Sequence, residues 1–192
     1  MPDTNSTMPD TAHDDIAQAD VQATIAQLWV YPVKSCAGIA MTEAELTPTG
    51  LAWDRAWMVV DESGGFVTQR DLPRMALVQP SFKFGQLVLR APGMLALHLS
   101  LEAAEFPRRV RVWGDEVDAW DMGDVAAQWL SDFLGPDAPQ RLQRLRLVRF
   151  DPEVRRVCST KWTGGRESLT QFADGFGVLV TSEASIDSIN ER

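Results

Sequence analysis

Tyr31-Pro-Val-Lys-Ser-Cys-Ala-Gly38 and Trp53-Asp-Arg-Ala-Trp-Met-Val-Val60 are the two most informative stretches of this 192-residue chain. The first completes a strand-like run from Ile25 to Val33 and ends in a basic residue, a hydroxyl, a thiol and a flexible glycine. The second reads as another strand, and it carries Arg55 between two tryptophans. From these two stretches, Lys34, Ser35 and Arg55 can converge on one anion.

Arg55 is the more informative of the two cations. Alternation along a strand places it on the same face as Trp53 and Trp57. There it can stack on a tryptophan or pair with Asp61 as a structural cation. It can also bind an anion with Lys34, because an arginine fork donates two parallel hydrogen bonds to phosphate while a lysine supplies a point charge. Lys34 by itself is more typical of a solvated loop residue.

Short segments separated by turn residues fill the region from 25 to 121. The predicted strands are 25–33, 39–46, 54–61, 65–70, 76–82, 86–91, 95–101, 108–113 and 116–121. The turns between them include Thr47-Pro-Thr-Gly50, Glu62-Ser-Gly-Gly65, Ala91-Pro-Gly93 and Trp113-Gly-Asp115. This spacing favours an antiparallel β-barrel, with the last two strands forming a hairpin.

A helix is predicted over 124–134. Asp124 is its N-cap or lies in its first turn, and Gly135-Pro136 ends it. Val125, Trp129 and Phe133 form an apolar stripe at helical spacing. We therefore expect the helix to pack on the barrel.

The last fifty residues begin with an Arg-Leu-Arg-Leu-Val-Arg-Phe strand at 144–150 and continue through a loop at 151–171. The alternating arginines are either a solvated face or a basic rim for an anionic ligand. A further strand at Phe176–Val180 leads to a helix that Ser182 caps, with Ile186 and Ile189 starting a buried face. Free N–H groups at such a helix start attract anions, and Thr181 and Ser182 add hydroxyls, although a plain capped helix explains them as well.

The charge balance excludes some partners. The chain has a formal net charge of −9, from 27 acidic and 18 basic residues, which argues against nonspecific binding to nucleic acid or to anionic membranes. Residues 1–22 read as a disordered acidic tail. No run reaches the roughly 20 apolar residues of a membrane helix, and the N-terminus lacks a secretory signal, so we expect a cytoplasmic protein. Cys36 and Cys158 match no zinc spacing and read as packing groups.

These motifs, in this order, resemble the N-terminal β-barrel of MOSC-domain proteins, a family that includes molybdenum-cofactor enzymes reducing N-hydroxylated compounds. The resemblance implies a mostly β fold with some α: a barrel domain over 23–143 and the beginning of a second, β-rich MOSC domain over 144–192. It also implies that the phosphate of the molybdenum cofactor (molybdopterin) is held by five residues: Lys34, Ser35, Arg55, Thr181 and Ser182.

The same resemblance implies the N-terminal portion of an oxidoreductase. A full-length member would bind molybdenum through its cofactor, reduce a small N-hydroxylated or N-oxygenated molecule, and receive electrons from a donor protein or a reductase module. The Arg-Phe-Arg-Pro-Asn-like segment and the molybdenum-binding cysteine expected later in the family are not in this sequence. We therefore expect a truncated chain that is inactive alone, has no catalytic residue and no metal ligand of its own, and carries no stoichiometric molybdenum.

Two other functions stay open at this point. One is a noncatalytic β-barrel that binds a substrate or partner, for which the many tryptophans are suitable. The other is an association with pyridoxal phosphate, since MOSC domains occur fused to enzymes that use it, with Lys161 beside Gly164-Gly165 as the candidate lysine.

Overall fold

The structure is a computed structural model that describes residues 23–191. The predicted acidic tail, residues 1–22, lies outside the described residues. The strands before the first α-helix are β1 (Leu28–Val30), β2 (Ile39–Met41), β3 (Leu46–Thr47), β4 (Gly50–Leu51), β5 (Trp57–Asp61), β6 (Gln79–Lys83), β7 (Gln86–Arg90), β8 (Leu97–Ser100), β9 (Phe106–Val112) and β10 (Asp115–Asp121). They are followed by α1 (Asp124–Leu134), β11 (Leu145–Phe150), β12 (Arg156–Val157), β13 (Leu169–Thr170) and α2 (Glu183–Asn190). Short 3-10 turns cover Pro73–Leu77 and Gln140–Leu142.

A four-stranded antiparallel sheet in the order β5-β11-β10-β9 forms the centre of the fold. In its register Trp57 lies opposite Arg149 and Ala119 lies opposite Phe150. β11 is thus an inner strand of this sheet, although the sequence assigned it to a second domain that begins at residue 144. The division into a barrel domain and the start of a MOSC domain stays a prediction.

Both faces of the central sheet are covered. Trp57 and Val59 pack on one side with the buried face of α1, including Leu130 and Phe133. Met58 and Val60 pack on the other side in a second cluster, which contains Val110, Val148, Phe150 and Phe172. Burial on both faces anchors β5 firmly, and β5 in turn positions the segments around it.

The helix and the hairpin are confirmed. α1 spans Asp124–Leu134. β9 and β10 pair antiparallel, with Phe106 opposite Asp121 at one end and Val112 opposite Asp115 at the other. Asp124 lies in the first turn, and Gly123 is the N-cap with a φ of 87°. This positive φ favours glycine at position 123.

The fold is mostly antiparallel β, as predicted, but within residues 23–191 the strands do not close into one ring. A three-stranded sheet (β6-β7-β8) and two-stranded pairs lie beside the central sheet. The strand predicted over 65–70 is wrong: Phe66 makes a single bridge with Val60, and the chain then turns. The Asp71 carboxylate holds this turn by accepting hydrogen bonds from the backbone N and the Oγ1 of Thr68, at 3.1 and 3.0 Å.

The C-terminal segment follows the prediction in part. Ser182 caps α2, and its hydroxyl accepts a hydrogen bond from the Ser185 backbone N at 3.2 Å. The strand expected at 176–180 is absent. The prediction that Ile186 and Ile189 start a buried face of this helix is also wrong, because they are 44% and 69% exposed and no described element covers them. Among the described helices, none has the length and apolar character needed to cross a bilayer.

Candidate anion-binding site

The end of the first informative stretch is fixed onto β5. Val33 forms a parallel bridge with Trp57, and the Lys34 backbone N donates to the Trp57 carbonyl at 2.8 Å. The next residue, Ser35, has a φ of 65°, which turns the chain away from the sheet. The Lys34 side chain at this junction is buried.

The Lys34 ammonium is held by two partners. Its Nζ donates to the Phe172 carbonyl at 2.9 Å and to the Asp174 carboxylate. An ammonium has three donors, so one N–H remains for a ligand when partners within residues 23–191 are counted. The ion pair joins the strand end at Lys34 to a segment about 140 residues later in the chain.

The two charges of this pair have different surroundings. Burial lowers the pKa of Lys34, and the Asp174 carboxylate only partly offsets this, while Arg156 and Arg55 lower it further. Burial raises the pKa of Asp174, but hydrogen bonds from Lys34 and the Trp113 indole outweigh it and hold the Asp174 pKa below its usual value. The surroundings therefore favour the charged form of Asp174 and disfavour the charged form of Lys34, an effect that the Asp174 carboxylate partly offsets.

Arg55 lies in a turn, so the strand predicted over 54–61 begins only at Trp57. Trp53 and Arg55 have φ values of 67° and 49°, which breaks the alternation on which their shared face was inferred. The partners expected for Arg55 are also wrong. Its Nη1 pairs with Asp54, and its guanidinium lies 5.0 Å from the centre of the Tyr31 ring.

The turn that carries Arg55 is tied to the first stretch. The Asp54 carboxylate accepts from the Tyr31 backbone N at 2.7 Å, and the Arg55 backbone N donates to the Tyr31 carbonyl at 2.8 Å. The place expected for Arg55 beside the two tryptophans is taken by Arg149, 5.7 and 5.9 Å from their rings. Arg149 is thus the structural stacked cation, and Arg55 faces elsewhere.

Lys34, Ser35 and Arg55 line one cleft of about 530 Å³. The opposite wall is the segment from Ala173 to Phe176, with Val178 and Leu179. Thr181 and Ser182 are not among the residues that line this cleft. Both are exposed, and the Ser182 hydroxyl is engaged as the cap of α2. The structure therefore brings three of the five predicted residues together, and the role of all five stays a prediction.

Two charged residues of the cleft were missed in the sequence. Arg70 lies 5.4 Å from the centre of the Trp113 ring, and Asp174 accepts from the Trp113 Nε1 at 2.9 Å. Thr68 and Asp71 have the spacing of a turn that side-chain hydrogen bonds stabilise. Recognising this spacing would have ended the predicted strand before Arg70 and placed Arg70 in a loop. The approach of Asp174 to Lys34 has no local signal, because it comes from the packing of Phe172 into the core.

Neither cysteine has the surroundings of a metal ligand. Cys36 and Cys158 are both buried, and burial raises the pKa of the Cys36 thiol to about 12. Within residues 23–191 there is no group of three or more His, Cys, Asp or Glu side chains that can hold a metal ion. Lys161, the candidate for pyridoxal phosphate, lies on an exposed turn with its Nζ 4.5 Å from the Trp162 ring.

Comparison with known proteins gives the family. The model of the MOSC N-terminal beta barrel domain matches residues 22–137, a range that includes Lys34, Ser35 and Arg55. This chain belongs to that family. Mitochondrial amidoxime-reducing component 1 of Mus musculus is 37% identical over 177 residues, which is 88% of this chain and 50% of that protein. Mitochondrial amidoxime reducing component 2 of Bos taurus is also 37% identical over 177 residues, 88% of this chain and 51% of that protein.

Two further similarities cover smaller parts of the proteins compared. Molybdenum cofactor sulfurase of Danio rerio is 37% identical over 140 residues, 69% of this chain and 16% of that protein. The solution structure of a Bordetella bronchiseptica protein covers 59% of this chain and 92% of its own at 28% identity, with a TM-score of 0.44. This chain spans about half the length of the amidoxime-reducing relatives that it matches.

Proposed function

We propose that this chain holds the phosphate end of the molybdenum cofactor in an oxidoreductase that reduces small N-hydroxylated or N-oxygenated compounds. One observation carries the proposal: Lys34, Ser35 and Arg55, from two separate segments, line a single cleft. The names of the amidoxime-reducing relatives supply the reaction class. An electron-donor protein or reductase module, a cytoplasmic location, and contacts from Thr181 and Ser182 in a longer chain are parts of the same proposal.

The donor set fits a phosphate ester. Lys34 offers one N–H of its ammonium, Ser35 offers a hydroxyl, and Arg55 keeps the part of its fork that does not face Asp54. The cleft, at about 530 Å³, lies within the roughly 300–1,000 Å³ of small-molecule sites. Ser35 and Arg55 both have positive φ, and such strained residues persist where the surrounding structure holds a site in place.

When bound, the molybdenum cofactor supplies the two-electron redox chemistry. The residues of this chain bind and orient. Lys34 and Arg55 neutralise the phosphate, while Asp54 and Tyr31 fix the Arg55 side chain before any ligand arrives. A site organised in this way loses little side-chain entropy on binding.

The proposal is tested by titrating the 192-residue chain with inorganic phosphate in a calorimeter at low salt, where exposed charges are least screened. We expect saturable binding that Arg55→Ala weakens roughly tenfold, because a hydrogen bond to a charged group contributes about 1.5–3 kcal/mol. Arg90→Ala is the control, since it removes the same charge from an exposed arginine on β7 that donates to Ser81 at 3.3 Å, away from the cleft.

Equal losses in the two variants, or no saturable binding by the unmodified chain, would refute the phosphate site. The second outcome would favour the noncatalytic binding module instead. Circular dichroism of each variant establishes that the comparison is between folded proteins.

A further inference from the structure

Asp174 stands between two clefts. It lines the 530 Å³ cleft with Lys34 and Arg55, and it also lines a neighbouring cleft of about 280 Å³ whose wall includes Trp113 and Arg156. Its Oδ1 accepts from the Lys34 Nζ and, at 2.9 Å, from the Trp113 Nε1. Asp174 therefore pairs with Lys34, the cation proposed to bind phosphate, and its own negative charge lines the same cleft.

The two carboxylates of the site differ in exposure. Asp54, which pairs with Arg55, has a side chain only 3% exposed, and its other oxygen accepts from the Tyr31 backbone. The Asp174 side chain is 71% exposed, while that of its partner Lys34 is 7% exposed. Asp54 therefore has a structural role, because its buried carboxylate fixes Arg55. Asp174 lines the cleft together with Lys34, so its negative charge would repel an anion bound there.

We propose that Asp174 determines the affinity and the pH range of anion binding in this cleft, because its carboxylate pairs with the buried Lys34 ammonium and at the same time competes with the anion for it. Asp174 is thus a positioning residue that acts through Lys34. The inference rests on the proposed function for the identity of the anion as a phosphate group.

The charges around Lys34 leave Asp174 as its stabilising partner. Arg156 faces Lys34 from β12, Arg55 faces it from the turn before β5, and the Phe66 ring centre lies 5.9 Å from the Nζ. Burial, the largest effect, and both arginines lower the pKa of Lys34, whereas Asp174 raises it. Removing the Asp174 charge therefore leaves burial and the two arginines, which favour loss of the lysine proton, opposed by the Phe172 carbonyl and the Phe66 ring.

Loss of this carboxylate has opposite effects at the two ends of the pH scale. At a pH low enough to keep Lys34 protonated in both proteins, Asp174→Asn removes only a competing and repelling carboxylate, and anions bind more tightly. In alkaline solution the variant's Lys34 loses its proton earlier, so anions bind more weakly. The two binding curves must cross, which a merely structural role for Asp174 does not produce.

The experiment measures the binding of inorganic sulfate to the full chain from about pH 6 to about pH 10, a range over which sulfate stays a dianion while lysines titrate. We expect Asp174→Asn to bind sulfate about threefold more tightly at the acidic end, the scale of one partly screened charge pair. Its binding should then fail at lower pH than in the unmodified chain. Asp174→Glu should restore the original profile.

Asp118→Asn is the matched control. It removes one negative charge from an exposed residue on β10 that lies 3.5 Å from the Arg109 Nη1, outside both clefts. Its sulfate profile should follow that of the unmodified chain. A uniform shift in Asp174→Asn equal to that of the control would overturn the inference.

A second readout needs no anion. The titration of the Lys34 side chain, followed by NMR, should move to lower pH in Asp174→Asn and stay in place in Asp118→Asn. An unmoved Lys34 titration in Asp174→Asn would overturn the inference even where the unmodified chain binds phosphate, whereas the proposed function fails when the unmodified chain binds no phosphate at all.

Discussion

Individual residues show how an expected side chain can reach its site by an unexpected route. Arg55 lines the cleft with Lys34, as the sequence predicted, yet it does so from a turn and not from a strand. Its position depends on Asp54, which fixes both the guanidinium and the Tyr31 backbone. A short-range pattern of alternating side chains cannot represent this, because the decisive hydrogen bond joins residues 23 positions apart.

Asp54→Ala tests this role of Asp54. Removing the buried Asp54 carboxylate takes away the hydrogen-bond acceptor of the Tyr31 N–H and the ion-pair partner of Arg55. The free energy of unfolding should therefore fall by about 3 kcal/mol. Urea unfolding measures the change, and the exposed Asp118→Ala provides a control expected to lie within about 0.5 kcal/mol of the unmodified chain. A loss as small as that of the control would mean that Asp54 is dispensable for the turn.

At the scale of elements, local signals were sufficient for some parts of the fold and insufficient for others. α1 and the β9–β10 hairpin follow from an apolar stripe and a tight turn within one stretch of sequence, and both formed as expected. β11 was recognised as a strand, but its position between β5 and β10 depends on partners about 90 and 30 residues away. The same limit applies to the cleft. Local sequence motifs predicted that Lys34 lines it, whereas the contribution of Asp174 depends on a contact between residues 140 positions apart.

The two ends of the C-terminal region therefore contribute differently to stability. A chain ending at residue 143 lacks β11 and exposes the edges of both β5 and β10, so we expect it to lose cooperative unfolding. A chain ending at residue 182 lacks only α2, which buries no residue, and should unfold within about 1 kcal/mol of the full chain. Urea unfolding followed by tryptophan fluorescence distinguishes them. A cooperative chain ending at 143 would instead support an independent domain over 23–143.

At the scale of the whole molecule, ion pairs connect segments that are far apart in the sequence of residues 23–191. The most buried of them is centred on Asp121 at the end of β10, which accepts from Arg108 at 2.7 Å and also from Arg146 and the Gly123 backbone. These partners connect β9, β10, β11 and the start of α1. A single buried anion thus links the central sheet to its covering helix.

This arrangement predicts how stability depends on acid. Burial raises the pKa of Asp121, but hydrogen bonds from Arg146, Gly123 and Arg108 outweigh it, so the folded-state pKa lies below its ordinary value. A carboxylate with a lowered folded pKa stabilises the protein above its unfolded pKa of about 4, and this contribution disappears as the pH falls through the lower folded value. The free energy of unfolding should therefore decrease from about pH 5 downwards.

Asp121→Asn should be less stable than the unmodified chain at neutral pH, because Arg146 and Arg108 lose their anion, and its stability should fall less steeply in acid. Urea unfolding at about pH 7 and about pH 3 measures both effects. Asp118→Asn should keep the original acid dependence, and an equally steep decrease in Asp121→Asn would place the acid-sensitive interaction elsewhere in the molecule.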